Sequence, residues 1–288
     1  MSTPLLELRQ VSYRYPDGSF GLNDCSLAIQ RGSRNVLIGA NGSGKTTLFQ
    51  HANALLRPLS GVVYYAGHPV DYSRACLRQL RSKVGMVFQN PDRQLFSASV
   101  QEDVSFGPLN LGLDMTTIRQ RVAHALQAVG MAAHADKAVH NLSFGQKKRV
   151  CIAGVLAMEP ELLILDEPMA GLDHAMQAEL LLVLDDLHAR GITLLLATHD
   201  IDFAYRWAER IHLMADGRCT ASLNAPELGK HAAALADSGL PLPEIIGLHC
   251  VLVARGLLPA ESVPRCSTDL LAMLAATNNA KENLCKIA

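Results

Sequence analysis

The spacing of apolar side chains changes several times along the chain, and each change marks an element. Leu6-Glu-Leu-Arg-Gln-Val11 alternates apolar and polar residues, and Cys25-Ser-Leu-Ala-Ile29 does so again, so both are half-buried strands of an antiparallel layer with turn chemistry over Tyr13 to Gly18. Asn35-Val-Leu-Ile-Gly39 is a short apolar run, the pattern of a buried strand. A glycine-rich turn follows it, and Lys45 to Leu56 has helical character until Pro58 stops it. Val62-Val-Tyr-Tyr65 and Val84-Gly-Met-Val-Phe88 read as further strands, whereas Thr116 to Val129 and Gln146 to Met158 have the spacing of amphipathic helices. The chain from Asn90 to about Glu159 is therefore expected to be mostly helical. Leu162-Leu-Ile-Leu165 and Ile192-Thr-Leu-Leu-Leu196 are continuous apolar runs, as in parallel strands covered on both faces, and their alternation with helices predicts an α/β core. Beyond Asn224 the signal weakens. Pro226, Pro241, Pro243, Pro259 and Pro264 punctuate short helical pieces such as Leu270 to Ala276, which predicts a separate C-terminal appendage whose polar end, Ala280 to Ala288, frays.

Composition narrows the class. A length of 288 residues corresponds to about two domains at roughly 150 residues each, enough to bury a core without disulfides. Lys plus Arg is 26 against 27 Asp plus Glu, so no basic excess advertises nucleic-acid binding. The longest apolar stretches, such as Val150 to Met158, fall far short of the roughly 20 residues of a spanning helix. Seven cysteines stand singly without a C-x-x-C pair, and the charged start Met1 to Arg9 is unlike a signal peptide, which together point to the cytosol. The histidines and cysteines also lack metal-ligand spacing; His249-Cys250 is the only adjacent pair and is read as structural.

Two segments carry chemistry. Gly39-Ala-Asn-Gly-Ser-Gly-Lys-Thr46 fits G-x-x-x-x-G-K-[ST] between a predicted strand and a predicted helix, the context of a P-loop. Glycines let backbone N–H groups wrap phosphates, Lys45 reaches the β- and γ-phosphates, and the Thr46 hydroxyl can ligate Mg²⁺. An ordinary glycine turn accounts for Gly39, Gly42 and Gly44 but not for the Lys-Thr pair. Asp166 and Glu167 follow an apolar strand at the edge where open α/β sheets bind ligands. Asp166 there can hold the metal between phosphates while Glu167 polarises the attacking water, although an isolated Asp-Glu-Pro is often a solvated turn.

Leu142-Ser-Phe-Gly-Gln146 opens a helix, and Ser143 with Gln146 has capping-box spacing. A capping box needs neither Leu142 nor Gly145, and a helix start with a hydroxyl and a bare glycine is also an anion site. With these segments in order, the chain over roughly Leu5 to Leu223 resembles the ATP-binding-cassette ATPases. The resemblance implies a P-loop NTPase fold with a RecA-like core, an N-terminal antiparallel β layer, a helical signature subdomain and a small C-terminal appendage. Residues 1–223 would form the nucleotide-binding domain, with the helical subdomain at about 90–159, and residues 224–288 the appendage.

By the same resemblance, ATP and Mg²⁺ are the cofactors. Tyr15 corresponds to the aromatic that stacks on adenine, with Tyr13 as its rival, and Gly39, Ala40, Asn41, Gly42, Ser43, Gly44, Lys45, Thr46 and Thr47 hold the phosphates. Mg²⁺ falls to Thr46, Gln89 and Asp166, and the catalytic roles to Glu167, the Q-loop Gln89 and the switch residue His199. Leu142, Ser143, Phe144, Gly145, Gln146 and Asp173 would face ATP held by a second copy. Phe144 stands where the common pattern has glycine, and Met169 replaces the usual Ser or Thr ahead of the D-loop, Ala170 to Asp173.

Gln89-Asn-Pro-Asp-Arg-Gln-Leu-Phe96, Ser143 to Val150 and the appendage further resemble the ATPases of energy-coupling-factor importers, CbiO-type members in particular. This implies an ATP hydrolase driving import, with cobalt as cargo ahead of nickel or a vitamin. Its partners would be a second copy, a transmembrane scaffold with coupling helices and a metal-selecting membrane subunit, at the cytoplasmic face of the inner membrane. The appendage would supply dimer contacts. A soluble cassette in DNA repair or translation is the competing class; the tandem cassettes, coiled-coil insertion or basic face usual there are not visible in the sequence.

Overall fold

Parallel strands buried on both faces need continuous apolar sequence, and the central sheet consists of them. In the computed structural model, which describes residues 3–285, six strands lie in the order β10-β9-β3-β8-β7-β6. These are β3 (Arg34–Ile38), β6 (Val84–Val87), β7 (Leu162–Asp166), β8 (Thr193–Thr198), β9 (Arg210–Ala215) and β10 (Arg218–Asn224). All neighbours run parallel except β9 and β10. Every residue of β6, β7 and β8 is buried, while the edge strand β10 alternates between exposed and half-buried positions. Successive side chains point to opposite faces: Leu163 and Leu165 enter one hydrophobic cluster, Leu162 and Ile164 the other. Each such leucine contributes about 2 kcal/mol by burial.

An antiparallel sheet covers the second cluster in the order β2-β1-β4-β5, from β1 (Leu6–Arg14), β2 (Phe20–Ile29), β4 (Ser60–Tyr65) and the short β5 (His68–Pro69). The expected turn at Tyr13 to Gly18 is narrower than its composition implied. Tyr13 and Arg14 continue β1, and the turn closes through Tyr15 N to Ser19 O and Gly18 N to Tyr15 O. Helix α1 (Lys45–Ala52) also stops before the expected Leu56. Its end is fixed by tertiary contact: the Asn53 amide donates to Val84 O and Ala54 takes a left-handed φ of 53°. Helix α2 (Arg74–Lys83), which sequence patterning did not reveal, leads into β6.

The expected helical stretch holds α3 (Val100–Leu111), α4 (Met115–Ala128) and α5 (Phe144–Leu156). Ser99 with Glu102 closes a capping box on α3, Asp114 caps α4, and Ser143 with Gln146 closes the predicted box on α5. Helices α6 (His174–Ala189) and α7 (Ile201–Trp207) flank β8. After β10 come α8 (Ala232–Asp237), α9 (Glu244–Ala254) and α10 (Ser267–Cys285). This last segment shares the main core, since Ala225, Leu228, Leu235 and Ile246 join the cluster of Leu163 and Leu165. Arg265 donates to Tyr205 O and Ala208 O, tying it to α7. Helix α10 runs past the expected Leu270 to Ala276 and stays helical to Cys285, through most of the segment expected to fray; Lys286, Ile287 and Ala288 lie outside the described residues.

Candidate nucleotide site

The carboxyl ends of β3, β7 and β8 converge, so the loops after them meet at one edge of the sheet. A cavity of about 360 Å³ there is lined by Tyr15, Asn41, Gly42, Gly44, Lys45, Thr46, Thr47, Gln89, Asp166, Glu167 and His199. Residues separated by more than 180 positions in sequence thus share one pocket because parallel strand order brings β8 beside both β3 and β7.

The glycine loop is closed by close approach. A Cβ at Gly39 would come within 2.2 Å of Met214 O, and Gly44 has a φ of 103°, which side chains rarely adopt. The loop directs Lys45 inward; its Nζ donates to Gly39 O at 2.7 Å and Ala40 O at 3.0 Å. Burial pulls the Lys45 pKa down while the Glu167 and Asp166 carboxylates oppose that. Of the predicted loop residues, Gly39, Ala40 and Ser43 do not line the cavity, and Ser43 Oγ is buried behind it without a partner. Thr46 Oγ1 donates to Asp166 Oδ2 at 2.7 Å. Burial raises the Asp166 pKa against this hydrogen bond and the Lys45 charge. Thr46, Asp166 and Gln89 offer hydroxyl, carboxylate and amide oxygens, the hard donor set that fits Mg²⁺ shared with phosphates.

Glu167 sits at a φ of 46°, left-handed backbone for a residue ahead of proline, and its N–H donates to Ala197 O at 3.2 Å. His199 Nδ1 lies 3.1 Å from Glu167 Oε2. A carboxylate only accepts, so Nδ1 carries the proton in this contact. The side chain of His199 is 70% exposed and that of Glu167 11%, so the ring can move while the carboxylate is confined.

Tyr15 and Tyr13 separate in the structure. Tyr15 lines the cavity and its hydroxyl shares a 2.8 Å hydrogen bond with Thr47 Oγ1. Tyr13 packs edge-on against Tyr15 and His51, behind the cavity wall. Phe20, absent from the sequence-based set, also lines the cavity with the Arg14 guanidinium 3.8 Å from its ring centre. An aromatic beginning a strand looks like an ordinary packing residue, and its exposure is invisible in sequence.

Leu142, Ser143, Phe144, Gly145, Gln146 and Asp173 do not line this cavity. They form a second patch: Ser143 and Gln146 bond each other's backbone N–H, Asp173 caps α6 through Met176 N, and the Phe144 ring lies against the D-loop glycine Gly171. Lys148, also missed because Lys147-Lys148-Arg149 reads as a solvated run, is buried and points at the turn after β7.

A profile of the ABC transporter family matches residues 22–170. The energy-coupling factor transporter ATP-binding protein EcfA of Methanothermobacter thermautotrophicus is 44% identical over 244 residues, covering 85% of this chain and 78% of that protein. EcfA of Methanocaldococcus jannaschii is 41% identical over 257 residues, covering 89% and 92%. Among solved structures, cbiO1 from Clostridium perfringens, described as part of the ABC transporter complex cbiONQ, superposes with a TM-score of 0.74 at 43% identity over 86% of this chain and 99% of that one. A dimeric ATP-binding cassette in a post-hydrolysis state bound to ADP and Pi gives 0.69 at 27% identity, covering 76% and 98%.

Proposed function

The chain belongs to the ABC transporter family, and from that premise we propose that it is the ATP-hydrolysing motor of an energy-coupling-factor importer whose cargo is cobalt ion. The observation that carries the reading is the split between the two patches. One chain assembles the phosphate loop with Asp166, Glu167 and His199, yet its signature loop stands apart from that cavity. Two copies facing each other would complete two sites, each P-loop covered by the other chain's Leu142 to Gln146 and approached by its Asp173. Dimeric relatives support this arrangement.

In the proposed site, Tyr15 stacks on the adenine and the Gly39 to Thr47 segment wraps the phosphates, with Lys45 carrying positive charge to them. Mg²⁺ held by Thr46, Asp166 and Gln89 would neutralise charge building on the phosphate oxygens. Glu167 orients the attacking water and takes its proton, and His199, which donates Nδ1–H to Glu167, holds that carboxylate in place beside the γ-phosphate. The second chain's Ser143 hydroxyl and helix N-terminus add donors that a single open face lacks.

A groove of about 620 Å³ lies beside this site, with Phe88, Phe96, Phe106 and Met158 in its wall. Phe88 lines the groove and the next residue, Gln89, lines the nucleotide cavity, so a coupling helix seated there would sense nucleotide across one peptide bond. Among the described residues no helix is long and apolar enough to cross a membrane, in keeping with a motor held at the cytoplasmic face by its scaffold partner. The appendage exposes Leu248, Val251 and Leu271, apolar side chains suited to dimer contact. Leu248→Glu with Val251→Glu should weaken nucleotide-free dimers in sedimentation, and an unchanged profile rejects that contact. Point substitutions are preferable to truncation at Leu223, which would also uncover the shared core at Leu228 and Ile246.

Uptake of radiolabelled cobalt and nickel in cells lacking the chain, complemented with wild type or Glu167→Gln beside the native membrane partners, tests the whole reading. Cobalt accumulation with wild type alone supports it. Accumulation of nickel instead reassigns the cargo, and failure of both metals while the purified chain hydrolyses ATP moves the assay to vitamins.

A further inference from the structure

The ammonium of Lys148, on the first turns of α5, spends all three donors on main-chain oxygens: Pro168 O and Ala170 O at 2.7 Å and Glu167 O at 3.2 Å. Its neighbours behave differently. Lys147 pairs with Asp92 and Arg149 with Glu179 at the surface, whereas Lys148 is 3% exposed and its hydrogen bonds go to carbonyl dipoles. One helical turn back, the Phe144 ring lies 5.3 Å from that nitrogen, and a Cβ on Gly171 would come within 2.9 Å of its edge. The ring therefore rests on the D-loop at the same place where the lysine holds the preceding turn.

That turn is strained. Glu167 stands at a φ of 46° directly before Pro168, a conformation disfavoured by both the side chain and the following ring. Three charge-assisted hydrogen bonds hold Glu167's own carbonyl and the Pro168 and Ala170 carbonyls that follow it, and so restrict the direction in which the Glu167 side chain leaves the backbone. Burial draws the Lys148 pKa down to about 8, so the fold bears a desolvation cost to keep an amine here, where a side chain like methionine fills similar space.

We propose that Lys148 and Phe144 form an intrachain clamp between the signature helix and the Glu167 to Gly171 turn, with Lys148 as a positioning residue for hydrolysis. The clamp deepens the reading above and rests on Glu167 as the group that orients the attacking water. Its consequence is directional: the signature loop, which serves the other chain's nucleotide, and the Glu167 carboxylate, which serves its own, move as one body. Closure at one site is thereby reported to the catalytic carboxylate of the other.

The test uses the 288-residue chain and compares wild type, Lys148→Met, Phe144→Leu, Glu167→Gln and Glu167→Gln with Lys148→Met. Affinity is read with a fluorescent ATP analogue and turnover by phosphate release, with thermal unfolding recorded alongside. Lys148→Met is expected to lower kcat about tenfold while KM and analogue affinity stay within about twofold, since a misaimed carboxylate affects reaction geometry and not binding. Phe144→Leu is expected to lower kcat about threefold with the same split. In single-turnover reactions the doubly substituted chain should match Glu167→Gln within about twofold, because Lys148 acts only through that carboxylate. A loss of affinity together with kcat, or an undiminished further loss on top of Glu167→Gln, overturns the clamp in favour of general structural damage. Wild-type kcat in Lys148→Met overturns it outright, and if that variant does not fold, wild-type kcat in Phe144→Leu does the same. Retained turnover in Glu167→Gln refutes the assignment on which the clamp rests, an outcome distinct from failure of the clamp alone.

Discussion

The nucleotide cavity and the signature patch are built by opposite strategies. The cavity gathers side chains from the ends of β1, β3, β6, β7 and β8 into a shared space, with Lys45 on loop carbonyls and Thr46 on Asp166. The signature patch turns its polar groups back on its own backbone: Ser143 and Gln146 cap each other, Asp173 caps α6, and Lys148 is consumed by the turn after β7. On the proposed reading, the first is a receptor that one chain completes apart from its lid, and the second is a presenting surface whose receptor lies on a second copy. In the cavity, polar groups from separate elements partner one another around an open space, whereas in the signature patch they partner the adjoining backbone.

Four experiments break or sharpen that contrast. The largest effect belongs to Glu167→Gln, expected to lower kcat by about 10²- to 10³-fold while ATP binding survives and closed dimers accumulate; steady-state turnover and size-exclusion with ATP check it. Mixing comes next. A Lys45→Ala chain and a Ser143→Arg chain should each be inactive alone, yet mixed dimers rebuild one intact site from the first chain's signature loop and the second chain's P-loop. Recovery of roughly a quarter of wild-type activity is expected for random pairing of two equal populations, and no recovery would mean that the two patches serve the same chain.

A third effect is on stability and leaves both patches alone. His212 is buried in β9 between Asn35 Oδ1 and Ser222 Oγ, and burial depresses its pKa from 6.5 to about 3. Between those values the unfolded chain binds the extra proton, so acid favours unfolding and stability rises with pH across that window. Lowering pH from 7 to 5 should cost about 2 kcal/mol more in wild type than in His212→Gln, read from urea midpoints. The smallest effect is Ser143→Ala, whose lost cap should cost roughly 1 kcal/mol of stability. If the patch is a presenting surface, its turnover falls further than that stability change explains.

The central strands and the P-loop were legible because their physics is local. A run such as Leu162 to Leu165 has one use, and the Gly39 to Thr46 spacing encodes loop, lysine and helix start together. The capping box at Ser143 was legible for the same reason, and the structure closes it as the spacing predicts. Helix α2 was not, since Arg74-Ala-Cys-Leu-Arg-Gln-Leu-Arg leaves Leu80 as its only buried residue. The early end of α1 depends on Asn53 reaching β6, a contact thirty-one positions away that no local pattern carries. The segment after Asn224 read as separate because its prolines break periodicity, yet Leu228, Leu235 and Ile246 fill the main core.

By itself the sequence determined the chemistry on offer: a phosphate loop, two carboxylates after a buried strand and a histidine after the next. Hydrogen-bond spacing and hydrophobic period are properties of neighbouring residues, so they survive reading in one dimension. Tertiary structure alone decided which groups share a space. Strand order placed His199 beside Glu167, put Tyr15 in the cavity and Tyr13 behind it, added Phe20, and turned Lys148 from one cation in a basic run into the buried donor that holds the turn of Glu167. Those outcomes rest on close packing between elements distant in sequence, where burial and distance, set by the whole fold, determine what a side chain can do.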